Sequence, residues 1–123
     1  MIKGLHHIGF QVDDLEEAVL YYKSLGFNEI NRFEYEEVEF QGVMMKAAEY
    51  GNIEFFKFNN PNHEMVGKIK SHSAFETDDI ETDIQSFLDR GYELAIPIAS
   101  GKIVKKRGYV KDAYGNFIEL LEL

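Results

Sequence analysis

Residues 5–12 form a short run rich in apolar and β-branched side chains (Leu5, Ile8, Phe10, Val12), which predicts a strand. The period then changes. Leu15, Ala18, Val19, Tyr22 and Leu25 recur at helical spacing, as an amphipathic helix requires. Asp13 or Asp14 stands where that helix needs an N-cap, Glu16 and Glu17 place negative charge in its first turn, and Gly26 supplies the C-cap. Residues 27–39, 40–50 and 52–58 read as three more strands, punctuated by Gly42 and Gly51-Asn52. The segment Asn59-Asn60-Pro61-Asn62-His63 has the composition of a loop.

The second half repeats this order. A strand over 71–77 precedes a helix over 79–90, capped by Asp78 or Asp79 and ended by Gly91. Strands near 92–99, 102–111 and 116–122 follow, the last entered through the turn Ala113-Tyr114-Gly115-Asn116. The repeat is also visible residue by residue at a constant offset of 65, which carries His7 to His72, Phe10 to Phe75 and Asp13-Asp14 to Asp78-Asp79. The same offset carries Glu16 to Glu81, Gly26 to Gly91 and Ile53-Glu54 to Ile118-Glu119. The pattern therefore predicts an α+β protein, one domain over 1–123 made of two βαβββ halves, 1–63 and 64–123.

Composition narrows the chemistry. The 123 residues include 13 Lys+Arg against 22 Asp+Glu, and the net charge of −9 argues against nucleic acid or an anionic membrane surface as partner. No apolar run approaches the length of a membrane span, and the segment beginning Met1-Ile2-Lys3-Gly4 has no secretory h-region, so a cytoplasmic setting is expected. With no Cys, thiolate catalysis and thiolate metal sites are excluded, and any metal ligand must be His, Asp or Glu.

Strand alternation places His7 on a face with Gly9 and Gln11, and turns Ile8, Phe10 and Val12 toward the helix. His72 likewise shares a face with Ala74 and Glu76. Glu54 lies opposite Ile53 and Phe55, and Glu119 opposite Ile118 and Leu120. Each half thus sets one His and one Glu on the face away from its helix. Singly, each would pass as a structural histidine or a solvated carboxylate. Their recurrence at one offset points instead to a shared nitrogen and oxygen site, suited to Zn²⁺, Ni²⁺, Co²⁺, Mn²⁺ or Fe²⁺. Four ligands on an octahedral ion leave two positions open, which is the arrangement of a catalytic metal. By the same alternation His6 points to the other face, and His63, in the polar loop, is expected at the surface.

At these residues the chain resembles the vicinal oxygen chelate superfamily, which includes glyoxalase I, methylmalonyl-CoA epimerase, extradiol dioxygenases, and fosfomycin- and bleomycin-resistance proteins. Four segments carry the resemblance: His6-His7-Ile8-Gly9-Phe10-Gln11-Val12-Asp13-Asp14-Leu15, Asn52-Ile53-Glu54-Phe55-Phe56, Ser71-His72-Ser73-Ala74-Phe75-Glu76-Thr77-Asp78-Asp79, and Asp112-Ala113-Tyr114-Gly115-Asn116-Phe117-Ile118-Glu119-Leu120. The resemblance implies a curved mixed sheet, a half-barrel around a metal site, with His7, Glu54, His72 and Glu119 as ligands. It also implies a homodimer. Ala113 and Tyr114 replace the Pro and second Asp of the turn usual in this superfamily.

The ligand set resembles that of glyoxalase I (His, Glu, His, Glu), whereas methylmalonyl-CoA epimerase carries Gln at the second position. The resemblance therefore implies a glyoxalase I-like lyase or isomerase. It would use Ni, Zn, Co or Mn and move a proton next to a chelated carbonyl through an enediolate, with Glu54 and Glu119 as acid/base groups. Gln11 and Phe58 stand where glyoxalase I holds glutathione with Arg and Asn, so a thiol cosubstrate such as glutathione competes with another thiol adduct or a CoA ester. The alternatives are an epimerase of a CoA thioester, an iron dioxygenase, and a non-catalytic pocket of the bleomycin-resistance kind. Phe40, Met44, Met45, Phe56 and Tyr109 are candidates to line an apolar pocket. The basic run Lys102-Ile103-Val104-Lys105-Lys106-Arg107 reads either as an exposed edge strand or as an anchor for a substrate anion. Gln11, Phe56 and Lys102 are the expected substrate contacts.

Overall fold

The structure is a computed structural model that describes residues 1–36, 39–47, 49–63 and 69–123. Its elements run β1 (Ile2–Gln11), α1 (Leu15–Ser24), β2 (Phe27–Tyr35), β3 (Phe40–Ala47), β4 (Tyr50–Phe58), β5 (Ser71–Thr77), α2 (Ile80–Asp89), β6 (Glu93–Ser100), β7 (Lys106–Lys111) and β8 (Phe117–Glu122). This is βαβββ twice, the α+β order expected. The expected extension of the second strand to residue 39 crosses residues 37 and 38, and the third expected strand crosses residue 48. Both stretches, and residue 64 where the second half was expected to begin, lie outside the described residues.

The chain divides into two compact units, one of residues 7–71 and one of residues 1–6 with 72–123. In the first, the strand order is β2-β3-β4-β1, with β1 parallel to β4 and the other pairs antiparallel. Asp14 is the N-cap of α1, accepting a hydrogen bond from Glu17 N at 3.1 Å, and Gly26 leaves the helix at φ +99°. Leu15 and Val19 of α1 pack on Val43, Met45 and Phe55, with Tyr22, Phe27 and Ile53 closing the cluster. This core covers only the helix side of the sheet.

In the second unit the order is β5-β8-β7-β6, again with one parallel pair, β5 with β8. Asp79 is the N-cap of α2 and accepts from Thr82 N at 3.1 Å. Ile80 and Ile84 pack on Val110 and Leu120, both fully buried. A second anchor is not visible in the sequence pattern. The carboxylate of Glu122, itself buried, accepts from Ile80 N at 3.0 Å, so the last strand caps the first turn of the helix.

The repeat extends to strand register. Gly9 pairs with Glu54 and Ala74 with Glu119; Met44 pairs with Glu54 and Tyr109 with Glu119. Irregularities also recur: β2 bulges between Glu29 and Asn31, and β6 between Leu94 and Ile96. The bulge in β2 changes which face its odd-numbered residues occupy. Before it, Glu29 pairs with core-facing Met45 and Phe27 packs into the helix-side core. After it, Asn31, Phe33 and Tyr35 pair with Met44, Gly42 and Phe40 on the other face. A second irregularity in β6, between Ile96 and Ala99, coincides with Pro97. Proline is tolerated at such a place on the terminal strand of a sheet order.

One expected strand is shorter than the sequence pattern suggests. The run 102–111 is strand only from Lys106, and residues 102–105 form bends. The edge-strand reading of the basic cluster is corrected with it, because β7 lies between β8 and β6. Gly101 N donates to Lys105 O and Lys105 N to Glu122 O, so the backbone of the bend closes on itself before the ladder starts.

Candidate metal-ligand pairs and their faces

His7 reaches the face opposite α1 from β1, and Glu54 reaches the same face from β4, its partner in the parallel ladder. Both are buried, at 3% and 6% exposure, and His7 Nε2 stands 3.8 Å from Glu54 Oε2. In the other unit His72 on β5 and Glu119 on β8 repeat the arrangement, buried at 4% and 5%, with Nε2 to Oε2 at 3.3 Å. All four residues expected as ligands are therefore interior and joined in His–Glu pairs.

The pairs fit a divalent ion on geometry and donor chemistry. Two donors about 2.1 Å from one ion, at roughly 90–110°, stand about 3.0–3.4 Å apart. The His72–Glu119 separation falls in that range, and the His7–Glu54 separation exceeds it by a few tenths of an ångström. At 3.8 Å the latter is too long for a direct hydrogen bond. A carboxylate held in the interior is costly unless positive charge or hydrogen bonds compensate it, and a divalent ion supplies the charge.

The two faces differ in what surrounds the pairs. In the unit of residues 7–71, the row beyond Glu54 and Met44 is Phe56, Gly42 and Phe33, and the next is Phe58, Phe40 and Tyr35. Phe40 stacks on Phe56 with centroids 5.5 Å apart and on Phe33 at 6.0 Å. Phe58 meets Phe40 edge-on at 5.4 Å. His63, expected at the surface, instead stacks on Phe58 at 4.5 Å and is half-buried. The aromatic side chain makes the loop histidine an extension of this ring cluster.

Gln11 pairs with Phe56 in the ladder, so these two expected substrate contacts are neighbours beside Glu54. The Gln11 side-chain oxygen is shielded from solvent and has no hydrogen-bond partner among the described residues. Of the pocket candidates, Met44 and Phe40 share the face with Glu54, whereas Met45 belongs to the helix-side core. Lys102 lies in the exposed bend before β7, outside the strands that carry His72 and Glu119.

In the other unit, Tyr109 is buried and meets the His72 ring edge-on, with centroids 5.4 Å apart. The turn before β8 is held by Asp112. Its carboxylate accepts from Tyr114 N at 2.9 Å, Asn116 N at 2.8 Å and Asn116 Nδ2 at 3.0 Å. The side-chain amide of Asn116, followed by these backbone amides, holds the Asp112 carboxyl below its ordinary range. Gly115 takes φ +87° in this turn, so the replacement of the usual Pro and Asp by Ala113 and Tyr114 leaves a closed turn.

An open groove of about 440 Å³, lined by Val12, Asp13, Asp14, Glu17, Ala18 and Tyr21, flanks the start of α1 and includes neither His7 nor Glu54. No helix among the described residues is long and apolar enough to cross a membrane.

Comparison with known proteins agrees with the fold. The family model described as Glyoxalase/Bleomycin resistance protein/Dioxygenase superfamily matches residues 4–120. Methylmalonyl-CoA epimerase from Mycobacterium tuberculosis superposes with a TM-score of 0.84 at 19% identity, over 98% of this chain and 88% of that one. A Streptomyces coelicolor methylmalonyl-CoA epimerase variant, in complex with 2-nitronate-propionyl-CoA, gives 0.83 at 19% identity over 99% and 98%. Methylmalonyl-CoA epimerase in complex with methylmalonyl-CoA and NH4+ gives 0.84 at 20% identity over 99% and 95%. No curated protein sequence matches.

Proposed function

The chain belongs to the Glyoxalase/Bleomycin resistance protein/Dioxygenase superfamily, and on that premise we propose that it is a metal-dependent enzyme that moves a proton at a carbon next to a thioester carbonyl. The observation that carries this reading is the buried His–Glu pair repeated in equivalent register in both units. In this proposal His7, Glu54, His72 and Glu119 are the residues that would ligate a divalent ion, of the Ni, Zn, Co or Mn kind. When bound, the ion withdraws charge from the substrate oxygens and acidifies the adjacent C–H.

The residues of the chain do the rest. Glu54 and Glu119 are the groups able to take a proton from the α-carbon and return one, which is general acid/base work for a carboxylate held in the interior. Removal on one face and return on the other inverts the centre and makes an epimerase. Return at the neighbouring carbon makes a glyoxalase-type isomerase. The epimerase reading is preferred, because structural neighbours named as methylmalonyl-CoA epimerases cover nearly the whole chain and Gln11 supplies no cationic contact for glutathione. The glyoxalase reading is favoured by one residue, the carboxylate at Glu54. A pocket that only binds a ligand would need no pair of buried acid/base groups.

The deciding experiment loads the protein with Co²⁺ or Zn²⁺ and follows methylmalonyl-CoA in D₂O by proton NMR. Loss of the α-proton signal, abolished by Glu119→Gln, supports the epimerase. Isomerisation of the methylglyoxal–glutathione adduct without α-exchange of the thioester transfers the assignment to the glyoxalase reaction. Absence of both overturns the proposal.

A further inference from the structure

We propose that Arg107 selects substrates that carry a free carboxylate beside the reacting carbon; this rests on the thioester reading above and names the substrate group its site recognises. Four observations lead there. Arg107 lies on β7 two residues before Tyr109, so the two share the face opposite α2, whereas Gly108 and Val110 turn toward the helix. Tyr109 pairs with Glu119 and packs on His72, which puts Arg107 one row from a ligand pair. Arg107 is half-buried, with its Nε shielded from solvent. Finally, the repeat equates Arg107 with Gly42, whose partner Phe56 becomes Leu121. One copy carries rings at this row, and the other carries a cation.

The other cations of β7 have different placements. Lys106 reaches the helix side and pairs with Glu81 at 2.5 Å, whereas Lys111 alternates onto the same face as Arg107, on the other side of Tyr109, and is engaged by Glu93 at 3.3 Å. Arg107 is the member of the basic run that turns to the ligand face. A guanidinium offers five donors in a rigid fork, so it can receive a carboxylate in two parallel hydrogen bonds while keeping a contact within the protein. Half-burial strengthens that interaction relative to an exposed lysine.

The test uses the metal-loaded protein and two probes, methylmalonyl-CoA and its carboxylate methyl ester. For the wild type, α-proton exchange is expected to show a KM lower for the free acid by roughly ten- to a hundredfold, the range of one charge-assisted contact. Arg107→Met should remove that preference by raising KM for the acid, with kcat changed much less, and Arg107→Lys should recover part of it. The Arg107 Nε–H resonance, assigned by its loss in Arg107→Lys, should shift on titration with the acid and not with the ester. A variant that keeps the acid-over-ester preference, or a resonance that ignores the acid, overturns the proposal. If the wild type exchanges neither probe but the resonance still responds to the acid alone, the assignment to Arg107 stands and the thioester reaction falls.

Discussion

The ring of Phe33 lies across Gly42, in the space a side chain at residue 42 would fill. A Cβ there would collide with the Cε and Cζ atoms of that ring. Gly42 thus makes room for the aromatic row that flanks Glu54. Gly42→Ala should push the ring aside and cost about 1–3 kcal/mol, as overpacking does. Phe33→Leu should relieve the clash, so the double variant should be less destabilised than the sum of the singles. Urea unfolding of the four proteins measures this coupling, and strict additivity would show that the ring does not need the gap.

Removing metal tests the His–Glu pairs directly. Stripped protein titrated with Ni²⁺ or Zn²⁺ by calorimetry should take up one ion per chain. His72→Ala and Glu54→Gln should each weaken binding by more than the roughly 10–100-fold typical of outer-shell changes. Binding that is equal in the wild type and both variants would place any ion elsewhere.

Glu122 supports the fold without touching the ligand pairs. Glu122→Ala leaves Ile80 N without its carboxylate acceptor at the start of α2 and should cost about 1–3 kcal/mol. Glu122→Gln keeps an oxygen in place and should cost less. Thermal unfolding ranks the three proteins, and their metal affinities should agree.

The Asp112 turn should make the last strand sensitive to acid. The carboxyl of Asp112 is held below its ordinary range by Asn116, so its contribution to stability is complete above the unfolded value of about 3.9 and is lost as pH falls through the lower folded value. Melting temperatures recorded from about pH 5 down to about pH 2 should fall further for the wild type than for Asp112→Asn, which has no charge to lose at that position. Parallel curves would remove Asp112 as a source of acid sensitivity.

Much of this architecture is legible in the sequence, because the repeat doubles every signal. The Asp pairs 13–14 and 78–79 that cap the helices, the glycines that end both, and the placement of the two His and two Glu on the face away from the helices follow from period and offset, and the structure selects Asp14 and Asp79 as the caps. What the pattern hides depends on contacts between distant residues. Glu122 looks like a terminal surface charge until β8 brings it to the start of α2. Lys102 looks like part of a strand because the run is β-branched and basic, yet the backbone closes into bends there. In the sequence Arg107 is only one charge in that run, and its face becomes evident once β7 is known to start at Lys106. The aromatic rows are hidden for a different reason. Strict alternation would place Phe27, Phe33 and Tyr35 together, but the bulge separates Phe27 from the other two.

That bulge also fixes the length of β2. The strand is written in two phases, one on each side of residue 30, and each phase supplies a different layer. Losing the extra residue at 30 would leave a regular ladder with Phe33 and Tyr35 still on the face of Glu54, whereas losing or gaining one elsewhere in the strand would carry the residues beyond it to the opposite face. Insertions and deletions in β2 away from the bulge therefore act as substitutions at several positions at once, and an alignment of related chains keeps the faces of this strand only when its gap is placed at the bulge.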